Sequence, residues 1–224
     1  TFVTAAENWL PPDNFQEEPA PVIATRTSPT NIGLALLSRL AAHDFGYITT
    51  ERLLRETRLT FDTLARLERH RGHFYNWYET RTLAPLSPKY VSSVDSGNLA
   101  GHLLTLGSGL RERCETPLAP GQVLAGLGDT ADILAEIPGP HPLELTTLIE
   151  LLGPPVAPGL RALHSTLSRA VELSAALEAR TNLNGDLSAR WTQALHRDAL
   201  AHLEELRLLA PWLEPASRPE PSPP

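Results

Sequence analysis

The sequence predicts an all-α fold of stacked antiparallel helical hairpins, and three observations lead to this prediction. Leucine recurs at intervals of three and four residues in the long segments, which is the period of a helix with one buried face. Segments with this pattern cover roughly 60% of the chain, against about a third in an average globular protein. No segment sustains the strict apolar–polar alternation of a strand. Short loops between successive helices favour antiparallel neighbours.

The first predicted helix follows an irregular, proline-rich start at residues 1–27. Ser28 and Pro29 are the residue types expected of an N-cap and of the first helical position. Gly46 is a candidate for a left-handed C-cap. The apolar face of this helix consists of Ile32, Leu36, Leu37 and Leu40.

The later helices follow from the same period. The second begins near Thr49 or Thr50 and ends at Gly72, and the third begins near Asp95. The third helix repeats leucine at positions 99, 103, 106 and 110. Further helices are predicted at residues 120–137, 141–152, 158–181 and 185–209.

The domain organisation follows from the distribution of motifs and prolines. Residues 1–213 are predicted to be one helical domain, with its distinctive motifs in residues 1–106 and a variable helical part in residues 107–213. Residues 214–224 are rich in proline and are predicted to be a tail or linker. The sequence contains no methionine, so we expect the chain to be a piece of a longer protein.

Composition argues against several classes of function. The formal net charge is −7, so no basic stripe is available to neutralise the phosphates of a nucleic acid. No apolar run reaches the roughly 18–20 residues that a membrane-spanning helix needs, and direct membrane insertion by this segment is not expected. A single cysteine, Cys114, excludes an intrachain disulfide.

The connection of about twenty residues between the second and third helices is the most informative part of the chain, because loops this long in compact domains are usually functional. Residues 73–78 contain four aromatic side chains interleaved with His and Asn, and residues 92–98 add a polar cluster. Flat rings beside hydrogen-bonding groups suit a sugar, which stacks through its C–H faces. The alternative is an aromatic plug that closes a helical core. Residues 74–78 could also form one arm of a short hairpin.

Glycoside chemistry requires two carboxylates that face one substrate. The carboxylates near the polar and aromatic clusters are Asp13, Glu17, Glu79 and Asp95. Asp95 has an alternative role as the N-cap of the third helix, and Glu79 as a solvent-facing loop residue. The residues 26–31 place a guanidinium and short polar groups at a helix N-terminus, where a well-made cap is again the alternative. No catalytic residue is assigned from the sequence.

No metal site and no cofactor are predicted. His70 and His73 lie three residues apart but have no obvious third ligand. Gly126 and Gly128 lack the remainder of a nucleotide-binding pattern and the strand that precedes it. Cys114 lies among charged residues at a helix end, and a catalytic thiol there is not favoured.

Four longer motifs resemble the cyclic β-1,2-glucan synthases of bacteria. They are NWLPPDNFQE at residues 8–17, RTSPTNIGL at 26–34, RGHFYNWY at 71–78 and YVSSVDSGNLAGHL at 90–103. The motifs occur in the family's order and fall within residues 1–106.

The resemblance implies a fold and an activity. In that family this region opens a middle, glycoamylase-like domain with an (α/α)6 toroid, between a membrane-embedded glucosyltransferase region and a phosphorylase-like region. The middle domain is implicated in the transglycosylation that closes linear β-1,2-glucan into rings. A toroid has twelve helices and about seven are predicted here, so the resemblance implies a partial toroid. The family's catalytic glutamates are expected in downstream motifs, and no Trp-Gly-Ile-Ser-Glu-like segment occurs in this chain.

The resemblance also implies which residues form a sugar-binding wall. Trp77 and Tyr75 are expected to stack on glucose rings. The residues expected to hydrogen-bond hydroxyl groups are Arg26, Asn31, His73, Asn76, Asp95 and Asn98. On this hypothesis the isolated chain is inactive, although the parent protein is an enzyme.

The expected partners are β-1,2-glucan and the remaining domains of the parent chain. The expected setting is a soluble domain on the cytoplasmic side of a bacterial inner-membrane protein. Two other hypotheses remain: a non-catalytic glucan-binding module, and a helical scaffold whose aromatic residues are all core. Exposure of Trp77 distinguishes a binding wall from a scaffold.

Overall fold

The computed structural model describes residues 2–138, 142–153, 159–180 and 187–213. Helix makes up 67% of these residues, so the predicted all-α fold of helical hairpins is confirmed. The helices in these ranges are α1 (Pro29–Asp44), α2 (Thr50–Arg66), α3 (Ser93–Glu115), α4 (Pro120–Glu136), α5 (Leu143–Leu152), α6 (Leu160–Arg180) and α7 (Leu187–Leu209). The predicted tail at residues 214–224 lies outside the described residues.

Three short antiparallel strand pairs lie in the non-helical parts of the first 92 residues. The strands are β1 (Phe15–Gln16), β2 (Val22–Ile23), β3 (Arg26–Thr27), β4 (Arg69–His70), β5 (His73–Phe74) and β6 (Tyr78–Glu79). The pairs are β1 with β2, β4 with β5, and β3 with β6. The β3–β6 pair places Arg26 opposite Glu79 and joins the start of α1 to the aromatic connection.

One predicted helix boundary and one alternative N-cap assignment are wrong, and two capping predictions are confirmed. Helix α2 ends at Arg66, and the chain continues into the β4–β5 hairpin, whose turn is formed by Arg71 and Gly72, both with positive φ. Asp95 is not the N-cap of α3; that position belongs to Ser92, whose Oγ accepts from the Asp95 N–H at 3.1 Å. Ser28 Oγ accepts from the Asn31 N–H at 3.2 Å, and Gly46 has the left-handed φ of +76° that its C-cap role requires.

The chain forms two compact units. The first consists of the residues up to His43 together with Glu51–Pro117. The second consists of Asp44–Thr50 together with the described residues from Leu118 onwards. The four motifs that resemble the glucan synthases all fall in the first unit.

In the first unit, α1 and α3 lie side by side and run in the same direction. Near their beginnings, Asn98 Nδ2 donates to Thr30 Oγ1 at 3.0 Å. Near their ends, a Cβ added to Gly109 would lie 2.4 Å from Leu40 Cδ2. Residue numbers therefore rise together along both helices, and the two N-termini lie at the same end of the unit.

Threonines on α2 hold the N-terminal segment in place. Thr60 Oγ1 donates to the carbonyl oxygen of Trp9 at 3.0 Å, and Thr63 Oγ1 donates to that of Asn8 at 2.7 Å. Asn8 and Trp9 both adopt positive φ, so the chain turns sharply there. Leu10, which follows the turn, is fully buried. This anchor fixes the course of the chain that leads to Asp13.

The second unit is a ring of four helices. Each of α4, α5, α6 and α7 contacts the next, and α4 also contacts α7, which closes the ring. The residues 44–50 are fastened to it, because His202 Nε2 lies 2.9 Å from the Gly46 carbonyl oxygen and Tyr47 OH donates to Asp129 at 2.7 Å. The central core of the unit is formed by Leu127, Ala131, Leu148, Leu163, Leu167, Ala170, Leu195 and Ala199. Within the described ranges, no helix is both long enough and apolar enough to span a bilayer.

Candidate functional site

The candidate site lies in the first unit, at the end where α1 and α3 begin. Strand β3 enters this end directly before Ser28, and β6 pairs with β3 there. The loop between β6 and α3 returns to the same end through two backbone hydrogen bonds, Asn76 N–H to Tyr90 O and Leu86 N–H to Trp77 O, both 2.9 Å. These pairings therefore bring β3, β6 and the loop that follows β6 to the N-termini of α1 and α3.

Asp13 is the first centre of hydrogen bonding in the site. Its Oδ2 accepts from Arg26 Nε at 3.0 Å and from Arg26 Nη2 at 2.9 Å, and its Oδ1 accepts from Asn31 Nδ2 at 3.2 Å. The Asp13 side chain is 19% exposed and the Arg26 side chain 51% exposed. The carboxylate thus orients two groups that the sequence predicted to bind sugar, and both of them border solvent.

The Arg26 guanidinium also covers Trp77. Its Cζ lies 5.0 Å from the centroid of the indole ring, a distance at which a cation is attracted to the ring face. Trp77 is half-buried. Since one face of the indole is covered by Arg26, a sugar ring can stack only on the opposite face.

Asn76 joins Trp77 to Asp95. Its Oδ1 accepts from Trp77 Nε1 at 2.8 Å and from Tyr90 OH at 2.9 Å, and its Nδ2 donates to Asp95 Oδ2 at 2.7 Å. This is the orientation of the amide that satisfies all three neighbours. The residue is 5% exposed, so its side chain is occupied by protein partners.

Asp95 is the second centre of hydrogen bonding. Burial raises the pKa of its carboxyl group, but hydrogen bonds from the hydroxyls of Ser92, Thr30 and Ser28 and from the Thr30 N–H outweigh burial, so the pKa lies below the ordinary value of 3.8. Asp95 is therefore an ionised acceptor at neutral pH. The positive ends of the α1 and α3 dipoles favour the same charge.

These contacts form one continuous network in the first unit. We call it the Asp13–Asp95 network, and its members are Asp13, Arg26, Thr30, Asn31, Asn76, Trp77, Tyr90, Asp95 and Asn98. Six of the eight residues predicted from the sequence to bind sugar belong to it.

The other two predicted residues, Tyr75 and His73, have their contacts elsewhere. The Tyr75 ring lies 6.4 Å from those of both Tyr78 and His70, and Lys89 Nζ lies 5.4 Å from its centroid. His73 is exposed on β5, opposite His70 in the hairpin. No described contact links either residue to the Asp13–Asp95 network.

Three members of the network had no binding role predicted from the sequence: Asp13, Thr30 and Tyr90. All three fall inside the quoted motifs, and Asp13 was already a candidate carboxylate. Their role depends on contacts between residues that are 13 or more positions apart, such as Arg26 with Asp13 and Asn98 with Thr30. A single sequence carries no direct signal for such pairs.

Glu79 and Glu7 stabilise the turn that follows β6. Burial raises the pKa of Glu79, but hydrogen bonds from Thr82, Thr25 and Arg81 outweigh it and hold the pKa below the ordinary value. Glu7 is buried, accepts from Arg81 Nε at 2.8 Å and is hydrogen-bonded to Thr80. Both carboxylates are therefore engaged by backbone and side-chain partners of this turn. Within the described residues, no group of three or more His, Cys, Asp or Glu could hold a metal ion.

The chain matches a cyclic β-(1,2)-glucan synthase, NdvB, from Rhizobium meliloti (strain 1021). The two are 56% identical over 136 residues, which is 60% of this chain and 5% of that relative. No family model matches the chain. The similarity to a cyclic β-1,2-glucan synthase that the four motifs indicated is thereby confirmed, for a segment that spans only a small part of the relative's length.

Proposed function

We propose that the first unit supplies part of the sugar-binding wall of a domain that transglycosylates, and thereby cyclises, β-1,2-glucan. The observation that carries the proposal is the Asp13–Asp95 network. It presents a half-buried indole with one face covered, a half-exposed guanidinium and amide groups that border solvent at one end of the unit. This combination offers a stacking surface beside donors and acceptors for hydroxyl groups.

Two further observations support this proposal. The similarity to NdvB extends over 60% of the chain, and NdvB's name states that it is a cyclic β-(1,2)-glucan synthase. The parallel course of α1 and α3 also agrees with the proposed (α/α) toroid, because in a ring of helical hairpins every second helix runs in the same direction. On this proposal the remaining domains of the parent chain complete the ring and supply the catalytic carboxylates, on the cytoplasmic side of the inner membrane.

The chemistry of the network favours a binding wall over a catalytic centre. A glycosidase acid requires a carboxyl group whose pKa is raised so that it carries a proton near neutral pH. Asp95 has a lowered pKa, and Asp13 is paired with Arg26 and Asn31. A non-catalytic glucan-binding module is therefore the second candidate function. The specific observation in its favour is that neither Asp95 nor Asp13 has the properties of a glycosidase acid.

The test is titration of the chain with linear β-1,2-gluco-oligosaccharides, with β-1,3-gluco-oligosaccharides of the same length as the comparison ligand. We expect saturable binding to the β-1,2-linked series, monitored by calorimetry, and weaker binding by Asp13→Ala, which releases Arg26 and Asn31. The matched control is Asp129→Ala, which removes an exposed carboxylate in the second unit. Absence of binding by the unsubstituted chain, or equal losses from both substitutions, would contradict the proposal.

A further inference from the structure

We propose that Asn76 is a positioning residue that sets the Trp77 indole and the Asp95 carboxylate in one arrangement, and that it does not itself contact the glucan. This inference rests on the proposed function, since it assigns the task of holding the binding wall in place. The resemblance had implied instead that Asn76 binds hydroxyl groups of the glucan.

The contacts of Asn76 carry the inference. Its oxygen accepts two hydrogen bonds, from Trp77 Nε1 and Tyr90 OH, and its nitrogen donates to Asp95 Oδ2. With the residue 5% exposed, little of the amide is available to a ligand. The Asn76 N–H is also fixed, because it donates to the Tyr90 carbonyl oxygen at 2.9 Å.

The geometry explains why an amide is needed at this position. Trp77 Nε1 is a donor only, and ionised Asp95 is an acceptor only. A side chain between them must accept on one side and donate on the other, which an amide does without a net charge. Asn76 therefore couples the orientation of the stacking ring to that of the carboxylate.

Asn76→Asp provides a sharp test because it keeps the shape and removes the donor. At about pH 7.5 two carboxylates would face each other, and like charges at this separation raise the apparent pKa of the pair. We expect the pair to hold one proton at about pH 4.5, so that the protonated carboxyl group introduced by the substitution again donates to Asp95. The charged neighbours on adjacent segments, Asp13 and Arg26, are paired with each other.

We expect Asn76→Asp to bind a linear β-1,2-gluco-oligosaccharide at least about tenfold more weakly than the unsubstituted chain at about pH 7.5, and within about threefold of it at about pH 4.5. The unsubstituted chain should bind similarly at both values. An equal loss of affinity at both pH values would mean that the Asn76 amide contacts the glucan. Unchanged affinity at both pH values would mean that Asn76 does not position the binding residues. Both results would overturn the inference.

A second measurement separates this inference from the proposed function. The indole N–H resonance of Trp77, assigned from the spectrum of Trp77→Phe, should shift between the two pH values in Asn76→Asp and stay in place in the unsubstituted chain, without any glucan present. If that shift occurs but the unsubstituted chain does not bind glucan, the proposed function fails, and the positioning role in binding fails with it. If the chain binds glucan but the resonance does not shift, only the inference fails.

Tyr90→Phe serves if Asn76→Asp does not fold. Tyr90 is 46% exposed, so removal of its hydroxyl leaves the packing intact while it removes one partner of the amide. We expect the Trp77 indole resonance of the free protein to move. An unchanged resonance would overturn the inference.

Discussion

Trp77 lies between two polar partners, the Arg26 guanidinium on one ring face and the Asn76 amide at its N–H. On the proposed function, these two contacts hold the half-buried ring in place for stacking on glucan. We expect Trp77→Ala to weaken binding of linear β-1,2-gluco-oligosaccharides by about 1–3 kcal/mol, as loss of a stacking ring does elsewhere. The loss in unfolding free energy should stay below the about 3–5 kcal/mol typical of a buried tryptophan. Calorimetric titration and urea unfolding of the same variant measure the two quantities.

The control for this prediction is Trp212→Ala. Trp212 is 70% exposed and lies in the second unit, so its removal should change neither binding nor stability appreciably. A large stability loss in Trp77→Ala with unchanged affinity would assign the ring to the core and favour the scaffold hypothesis.

The lowered pKa of Asp95 predicts that the unfolding free energy of the chain decreases in acid. Its pKa is lower in the folded chain than the ordinary value, so its charged form stabilises the fold above that value, and this contribution is lost as the pH falls through the folded pKa. We expect Asp95→Asn to reduce the unfolding free energy by about 1–3 kcal/mol at neutral pH, since it removes a charged acceptor from several donors. The difference from the unsubstituted chain should shrink steadily below about pH 4.

Urea unfolding monitored by tryptophan fluorescence, repeated between neutral pH and about pH 3, measures this difference. Asp132→Asn is the control, because that carboxylate is exposed in the second unit. A difference that stays constant or grows in acid would show that Asp95 does not owe its contribution to its charge.

The resemblance singled out Arg26, Asn31 and Asp95, and the sequence left a helix cap as the alternative role for their segments. The partners of those residues were not predictable. The distinction between Asn76, which is buried between three partners, and Tyr75, which packs on Tyr78, depends on how the chain folds back from residue 90.

At the scale of elements, the close approach of α1 to α3 depends on glycine. A Cβ at Gly33 would lie 2.3 Å from His102 Nδ1 and 2.9 Å from His102 Cβ, so rotation of the histidine alone cannot relieve the clash. We expect Gly33→Ala to destabilise the chain by about 1–3 kcal/mol, as overpacking does, and to weaken glucan binding because the two N-termini would separate. Thermal unfolding and the same titration measure these effects.

Gly101→Ala is the matched control on α3. Nothing lies within 4 Å of a Cβ at that position, and alanine is favoured over glycine in a helix by about 1 kcal/mol. Gly101→Ala should therefore be neutral or stabilising. If Gly33→Ala also proved stabilising, the helices would have to pack less closely than their contacts indicate.

Helix existence was predictable, whereas the strand pairings were not. The helical spacing of the leucines and the capping residues Ser28 and Pro29 predicted α1. The predicted bounds of α4 to α7 lie within a few residues of the observed ones. The end of α2 was missed because Phe61 and Leu64 continue the helical period towards a turn that the positive φ of Arg71 and Gly72 then closes. The β3–β6 pair joins residues more than fifty positions apart, and two-residue strands are too short to show alternation.

At the scale of the whole molecule, chemistry and packing are divided between the two units. The first unit holds the Asp13–Asp95 network and most of the aromatic residues, while the second is a leucine- and alanine-rich ring of four helices. The sequence predicted one domain over residues 1–213; the aromatic residues are nevertheless unevenly distributed, since eleven of the thirteen precede residue 92, although Phe45 and Tyr47 belong to the second unit. The remaining question at this scale is whether the first unit can perform the reaction that its relative's name states.

We expect that the chain alone neither hydrolyses nor cyclises linear β-1,2-glucan. Glycoside cleavage requires one carboxyl group that carries a proton and a second that is free to attack or to activate water. Asp95 and Glu79 have lowered pKa values and are fully engaged as acceptors. Asp13 and Glu7 are each paired with an arginine.

Prolonged incubation of the purified chain with linear β-1,2-glucan tests this expectation, with reducing ends and cyclic products followed by chromatography and mass spectrometry. The glucan should remain unchanged while the calorimetric titration still reports binding. Turnover that is abolished by Asp95→Asn or Asp13→Asn, but not by Asp129→Asn, would show that the network is catalytic. Binding without turnover is the outcome expected both of a wall that belongs to a larger catalytic domain and of a non-catalytic binding module, because neither role requires a protonated acid in this chain.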